Sequence, residues 1–353
     1  MTQLLLLAVT AVGLLAAIPA DSLKDPREVH LRNLRQLTTG GKNAEAYFSF
    51  AGDMLCFQSS PAGSACDQIF IMDTAGRRLK RISTGHGRTT CAYFLPDGRL
   101  LYATTHLADT ACPPPPERTA GYVWPIYATY DIVIADTATG AILQRLTMTD
   151  GYDAEATVSP RGDRIVFTSA RDGDLELYSC NLDGSDLRRL TFTPGYDGGA
   201  FFSFDGTEIV YRAHHPTGAE LEEYRELLRR QLVRPNHMEL FVMNADGTNI
   251  RQITRNGAAN FAPFFHPDGR RIIFSSNLHD PTRRTFSLYI INKDGTGLKR
   301  ITYGAAFDGF PMFSPDGKKL LFCSSRGAHR PGEFNIFIAD WVDEPDTSPD
   351  NPR

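Results

Sequence analysis

Apolar residues in this chain come mostly in short runs, each cut off by a glycine-bearing turn. Six runs recur in equivalent positions: Leu55-Cys-Phe, Leu100-Leu-Tyr, Ile165-Val-Phe, Ile209-Val-Tyr, Ile272-Ile-Phe and Leu320-Leu-Phe. Each follows a four-residue turn: Ser49-Phe-Ala-Gly52, Leu95-Pro-Asp-Gly98, Ser159-Pro-Arg-Gly162, Ser203-Phe-Asp-Gly206, His266-Pro-Asp-Gly269 or Ser314-Pro-Asp-Gly317. Proline second and glycine fourth suit a tight turn, so each motif predicts a hairpin of two strands, A and B. In the first five repeats a second hairpin follows. Its strand C reads Gln68-Ile-Phe-Ile-Met, Asp131-Ile-Val-Ile-Ala, Glu176-Leu-Tyr-Ser-Cys, Glu239-Leu-Phe-Val-Met and Ser287-Leu-Tyr-Ile-Ile. Its strand D reads Leu79-Lys-Arg-Ile-Ser, Leu143-Gln-Arg-Leu-Thr, Leu187-Arg-Arg-Leu-Thr, Ile250-Arg-Gln-Ile-Thr and Leu298-Lys-Arg-Ile-Thr. Apolar residues at i and i+3 around two polar ones suit an outer strand with a wet edge.

Six repeats of four strands predict an all-β fold, a six-bladed β-propeller forming one domain. The blades fall near 43–84, 89–149, 154–193, 198–256, 261–304 and 309–341. The sixth repeat has a strand C, Asn335-Ile-Phe-Ile-Ala, with no strand D after it. Leu34-Arg-Gln-Leu-Thr, ahead of the first strand A, fits that vacancy. Residues 31–38 are therefore expected to pair with the last blade and close the ring, which leaves no open sheet edge.

These motifs carry a resemblance. The Ser-Pro-Asp-Gly turn, the Asn-x-Asp-Gly turn (Asn244-Ala-Asp-Gly247, Asn292-Lys-Asp-Gly295) and the Leu-Arg-Arg-Leu-Thr strand resemble the PD40 repeat of TolB-like six-bladed propellers. The resemblance covers residues 30–341 and implies the fold. It does not extend to the N-terminal α/β domain of TolB, because only about ten residues separate the apolar leader from the first strand. Propeller-bearing peptidases are excluded by the lack of a Gly-x-Ser-x-Gly elbow.

Strand alternation puts the A–B and C–D turns on one face of the ring and the D–A and B–C loops on the other. Both long insertions are B–C loops. The first, about 107–127, holds Cys112, the prolines 113–116 and Tyr122-Val-Trp-Pro, and predicts a stiff extended segment. The second, about 214–237, predicts a helix. Thr217 and Glu220 read as a capping box, and Leu221, Tyr224, Leu228 and Leu232 as an apolar stripe. Insertions gathered on one face mark it as the expected binding face.

That face collects polar side chains at the start of each strand A: Asn43, Glu45, Arg88, Asp153, Glu155, Asp197, Asn260 and Asp308. The ends of the B strands add His106, Arg171, His214 or His215, Asn277 and Arg326. All are expected to ring the mouth of the central channel, where they either bind a ligand or cap loops and neighbouring blades. The acidic set suits Ca²⁺ and the histidines a transition metal, although no cofactor is required. Tyr122, Trp124 and Tyr127 are expected at an interface.

Composition narrows the function. The net charge of −4 argues against nucleic acid as a partner. Residues 4–18 are apolar and end in Pro19-Ala20, which predicts a secretory signal peptide over 1–20 and a periplasmic or secreted monomer. No later segment predicts a membrane span. Residues 343–353 predict a disordered acidic tail. Export permits disulfides: Cys56, Cys180 and Cys323 sit in strand-like runs and read as packed thiols, while Cys66, Cys91 and Cys112 lie near loops and could include one bridge. The first functional reading is a module that binds a protein, peptide or glycan partner in the cell envelope. The second is a metal-assisted lyase or hydrolase at the channel mouth. The third is a propeller subunit serving a separate enzyme.

Overall fold

The turns form as their residues require. In the computed structural model, each turn glycine donates its N–H to the carbonyl three residues back: Gly52 to Ser49 at 2.9 Å, Gly162 to Ser159 and Gly206 to Ser203 at 2.8 Å, with Gly98, Gly269 and Gly317 alike. All six have φ between +67° and +85°, which a side chain would resist. The structure describes residues 19–343 except 62, 65, 118–120, 305 and 306. All but the last two residues of the expected signal peptide, and all but the first of the expected tail, lie outside the described residues.

Six four-stranded antiparallel sheets result. Blade 1 is Lys42–Phe48, Met54–Ser60, Gln68–Asp73 and Lys80–Arg81. Blade 2 is Thr89–Phe94, Leu100–Thr104, Asp131–Ala135 and Ile142–Arg145. Blade 3 is Asp153–Val158, Arg164–Ser169, Glu176–Asn181 and Arg188–Arg189. Blade 4 is Tyr196–Phe202, Glu208–His214, Glu239–Asn244 and Arg251–Gln252. Blade 5 is Asn260–Phe265, Arg271–Ser276, Ser287–Asn292 and Lys299–Arg300. Blade 6 is Asp308–Phe313, Lys319–Ser324 and Asn335–Trp341, completed by Leu31–Gln36, which pairs antiparallel with Asn335–Trp341. The ring is closed by the first strand, as its sequence predicted.

The strand-D motif does two jobs. Its second apolar residue packs inward: Ile82, Leu190, Ile253 and Ile301 are buried. Its first faces water, contrary to a simple two-anchor strand: Leu79, Leu143, Leu187, Ile250 and Leu298 are exposed. Side chains alternate along a strand, so residues three apart point to opposite faces and only one of the two turns inward. The closing Thr or Ser caps the start of strand C instead. Ser83, Thr147, Thr191, Thr254, Thr302 and Thr38 each accept a backbone N–H, from Ile69, Ile132, Leu177, Leu240, Leu288 and Ile336, at 2.9 Å every time. Each bond satisfies a buried donor.

A buried ion cluster holds the ring shut. Glu28 accepts from both terminal nitrogens of Arg326 at 2.9 and 3.0 Å, and Arg326 also reaches Asp308 at 3.0 Å. Glu28 and Asp308 are wholly buried. His30 stacks on Trp341 at 5.0 Å beside the closing strand.

The insertions pack on each other above the ring. The helix spans Gly218–Arg229 and starts at Thr217, but the Thr217 side chain makes no capping bond. The expected capping box does not form, because Glu220 turns toward His214 instead. Tyr224 and Leu227 face inward; Leu232 lies past the helix, in a two-residue strand. That strand, Leu232–Val233, pairs antiparallel with Trp124–Pro125 of the first insertion. Tyr224 ties the helix down through its hydroxyl, to Asp174 at 2.5 Å and the Gly195 carbonyl at 2.8 Å. Cys66 and Cys112 form a disulfide that anchors the first insertion to blade 1, and Cys91 is free. Cys56, Cys180 and Cys323 are buried free thiols. Among the described residues no helix is long and apolar enough to cross a membrane.

Candidate functional site

Every innermost strand breaks its register at the same place. The pairing of strands A and B slips between Ala44 and Tyr47, Thr90 and Tyr93, Ala154 and Thr157, Gly198 and Phe201, Phe261 and Phe264, and Gly309 and Met312. One residue in each slip takes left-handed backbone: Glu45 (φ 51°), Cys91 (53°), Glu155 (58°), Gly199 (60°), Ala262 (50°) and Phe310 (55°). A bulge re-aims the side chain it carries. All six residues line one cavity of about 430 Å³ in the middle of the ring, a size usual for a small-ligand site.

The cavity has two unlike halves. Blades 1 to 4 supply the polar half. Glu155 is saturated there: it accepts from Arg212 at 2.5 Å, Thr168 at 2.7 Å, the Gly199 N–H at 2.8 Å and the Tyr196 hydroxyl at 3.0 Å. Burial alone would lower the Arg212 pKa, but the Glu155 charge and Tyr196 beside it hold it above its ordinary value, so its charge is fixed. Gly199 leaves room for this pair, since a Cβ there would collide with the Arg212 guanidinium. Arg88 pairs with Asp67 at 2.5 Å. Glu45 is different. Among the described residues no cation pairs with it, and the Cys91 thiol is its hydrogen-bond partner. Burial pushes its pKa up to about 7, with the nearby Glu155 charge adding to the rise. Burial and the Glu45 and Glu155 charges hold Cys91 well above an ordinary thiol, so it is protonated and no nucleophile.

Blades 5 and 6 supply the apolar half: Phe261, Phe286, Phe307, Phe310 and Phe334, in edge and tilted contacts 4.9 to 5.5 Å apart for the closest pairs. Tyr47, Tyr93, Phe201 and Phe264 meet ring to ring at 5.3 to 5.6 Å, and Tyr47 and Phe201 of this cluster line the cavity. Above, the joined insertions roof it. Trp124 comes within 6.5 Å of Phe261, so blade 2's insertion reaches blade 5, and the Arg212 guanidinium lies 5.2 Å over the Trp124 ring.

Of the side chains expected at the mouth, Glu45, Arg88, Glu155, Tyr122, Trp124 and Tyr127 line this cavity. The others are placed in the frame. Asn43 accepts from Ser59 and Asn260 from Ser276, both at 2.7 Å. Asp153 pairs with Arg171 at 3.0 Å, Asp197 with His215 at 2.9 Å and Asp308 with Arg326. His106 bonds Thr104 at 2.7 Å, and Asn277 accepts the Ala259 N–H at 2.9 Å. His214 turns outward toward Glu220. The first polar residue of strand A thus holds the hairpin, and the residue two later faces the ligand space. Sequence reasoning missed Arg212, Cys91, Tyr152 and the phenylalanine wall. Only Cys91 and Phe310 carry a sequence signal, that offset of two, and it is visible only once the bulge is known.

No family model matches the chain, and no curated protein matches it. Solved structures do resemble it. A protein assigned as TolB from Agrobacterium tumefaciens shares 16% identity over 86% of this chain and 91% of its own, with a TM-score of 0.55. TolB from Acinetobacter baumannii shares 17%, over 85% of this chain but only 64% of its own, with a TM-score of 0.54. An oligogalacturonate lyase from Vibrio parahaemolyticus shares 13%, over 93% of this chain and 96% of its own, with a TM-score of 0.52. At such identities the likeness is one of fold, the six-bladed TolB-like propeller.

Proposed function

We propose that this chain is an exported binding module whose roofed cavity takes one end of a peptide or protein segment from the cell envelope. An apolar side chain would lie on the phenylalanine wall, and an amine, guanidinium or amide would meet Glu45. The observation that carries this reading is Glu45 itself: a carboxyl aimed inward by a strained backbone, with no cation of its own, across from five phenylalanines. A buried charge without a partner is costly, so a ligand that brings the partner gains that energy on binding. The Cys66–Cys112 bridge supports an oxidising compartment.

One observation favours a second reading, a hydrolase or lyase. A carboxyl near pKa 7 suits general acid–base work. Against it stands the engagement of the other described carboxylates of the cavity, Glu155 by its donors and Asp67 by Arg88.

The test is selection from a random peptide library on the disulfide-bonded protein. Binders should share a basic residue next to an aromatic or aliphatic one. Glu45→Gln and Phe307→Ser should each weaken them by on the order of tenfold or more, about the loss expected of one good contact. Binders that ignore both substitutions would refute the assignment. Turnover of a bound peptide would move it to the second reading.

A further inference from the structure

Outside the cavity, three side chains converge at the base of the second insertion. His214 ends strand B of blade 4, Glu220 stands in the first turn of the helix, and His237 lies between Leu232–Val233 and strand C. The Glu220 Oε1 atom sits 3.4 Å from His214 Nε2 and 3.7 Å from His237 Nδ1, and the three ligand atoms all lie within 4.8 Å of one another. Neither separation is a hydrogen bond. Both are close to the edge of a tetrahedron around Zn²⁺, about 3.3 Å for bonds of about 2.0 Å to nitrogen and oxygen. His237 is held in left-handed backbone (φ 53°), and the rings of the two histidines stand perpendicular with centroids 6.2 Å apart.

We propose that His214, Glu220 and His237 bind one Zn²⁺-type transition metal, which clips the second insertion shut over the cavity. Two imidazoles and one carboxylate are a zinc donor set, and they leave a fourth position for water. The three donors come from where the insertion leaves the blade, where its helix begins and where it returns. A metal there closes the loop that carries Leu232 and Val233, the strand on which Trp124 and Pro125 rest. This site stands apart from the channel, where the sequence suggested a metal, and it does not depend on what the cavity binds.

The experiment uses the full, untagged, disulfide-bonded chain, stripped with chelator and titrated with Zn²⁺ alone in a calorimeter. One equivalent should bind. His237→Asn and Glu220→Gln should each weaken binding on the order of tenfold or more, as loss of one of three ligands requires. His237 and Glu220 are largely exposed, so neither change opens the core. Zn²⁺ should also slow tryptic cleavage after Arg229 and Arg230 at least severalfold in the wild type and not in His237→Asn. Failure to bind an equivalent, or binding unchanged in both variants, overturns the site. Stoichiometric binding that leaves the cleavage rate unchanged overturns the clip.

Discussion

Replacing Glu45 with Gln should make this protein more stable at alkaline pH and leave it unchanged in acid. In the folded chain burial raises the Glu45 pKa from 4.5 to about 7, whereas in the unfolded chain it returns to 4.5. The folded state therefore holds its proton more tightly, and stability falls as pH rises through the window from about 4.5 to 7. Above that window the loss is complete, and a rise of this size corresponds to about 3 kcal/mol. Glutamine keeps the shape and cannot ionise. Urea midpoints of both proteins, measured from pH 4 to pH 8.5, give the comparison directly. The curves should coincide near pH 4 and separate above pH 6, with the variant higher by about 1 M or more if the slope is about 2–3 kcal/mol per M. Parallel curves, or a variant that becomes the less stable of the two as pH rises, would refute the claim that Glu45 is a carboxyl without an ion-pair partner in the cavity. A ligand with a cationic group should shrink the gap, since it supplies the missing partner.

Two further outcomes test the frame. Arg326→Met strands Glu28 and Asp308 without a cation and should cost about 3–5 kcal/mol, read as a lowered urea midpoint at pH 7. Thr302→Val keeps the volume of a buried cap but orphans the Leu288 N–H; a loss of about 1–3 kcal/mol, with faster amide exchange at Leu288, is expected.

How far the site was legible depended on which periodicity each residue obeyed. The turns repeat because glycine alone tolerates their φ, and the strand-D threonines repeat because each caps the same donor. Both are local needs that recur sixfold, so they leave a written pattern. The bulge residues also recur sixfold in backbone, yet their side chains are Glu, Cys, Glu, Gly, Ala and Phe. Nothing local fixes their identity, and no pattern marks them. Their polar neighbours two positions earlier are the conspicuous residues, and Asn43, Asp153 and Asn260 among them bond within the hairpin. The capping box failed for a similar reason: Thr217 and Glu220 have the right spacing, but His214 stands close enough to claim the carboxylate. The paired loop cysteines were left open, because which two of Cys66, Cys91 and Cys112 meet depends on how an insertion folds back.

The sequence by itself determined six blades, the closing strand and the two insertions on one face. Each follows from turn chemistry and alternation, which act over a few residues. The tertiary structure alone decided that the bulges of six blades meet around one cavity. It also decided that its carboxyl and its phenylalanines line the same space, and that an insertion from blade 2 pairs with one from blade 4. Those facts join residues as far apart in sequence as Glu45 and Phe334. Only closure of the ring, which brings every strand A to a common axis, puts them in contact.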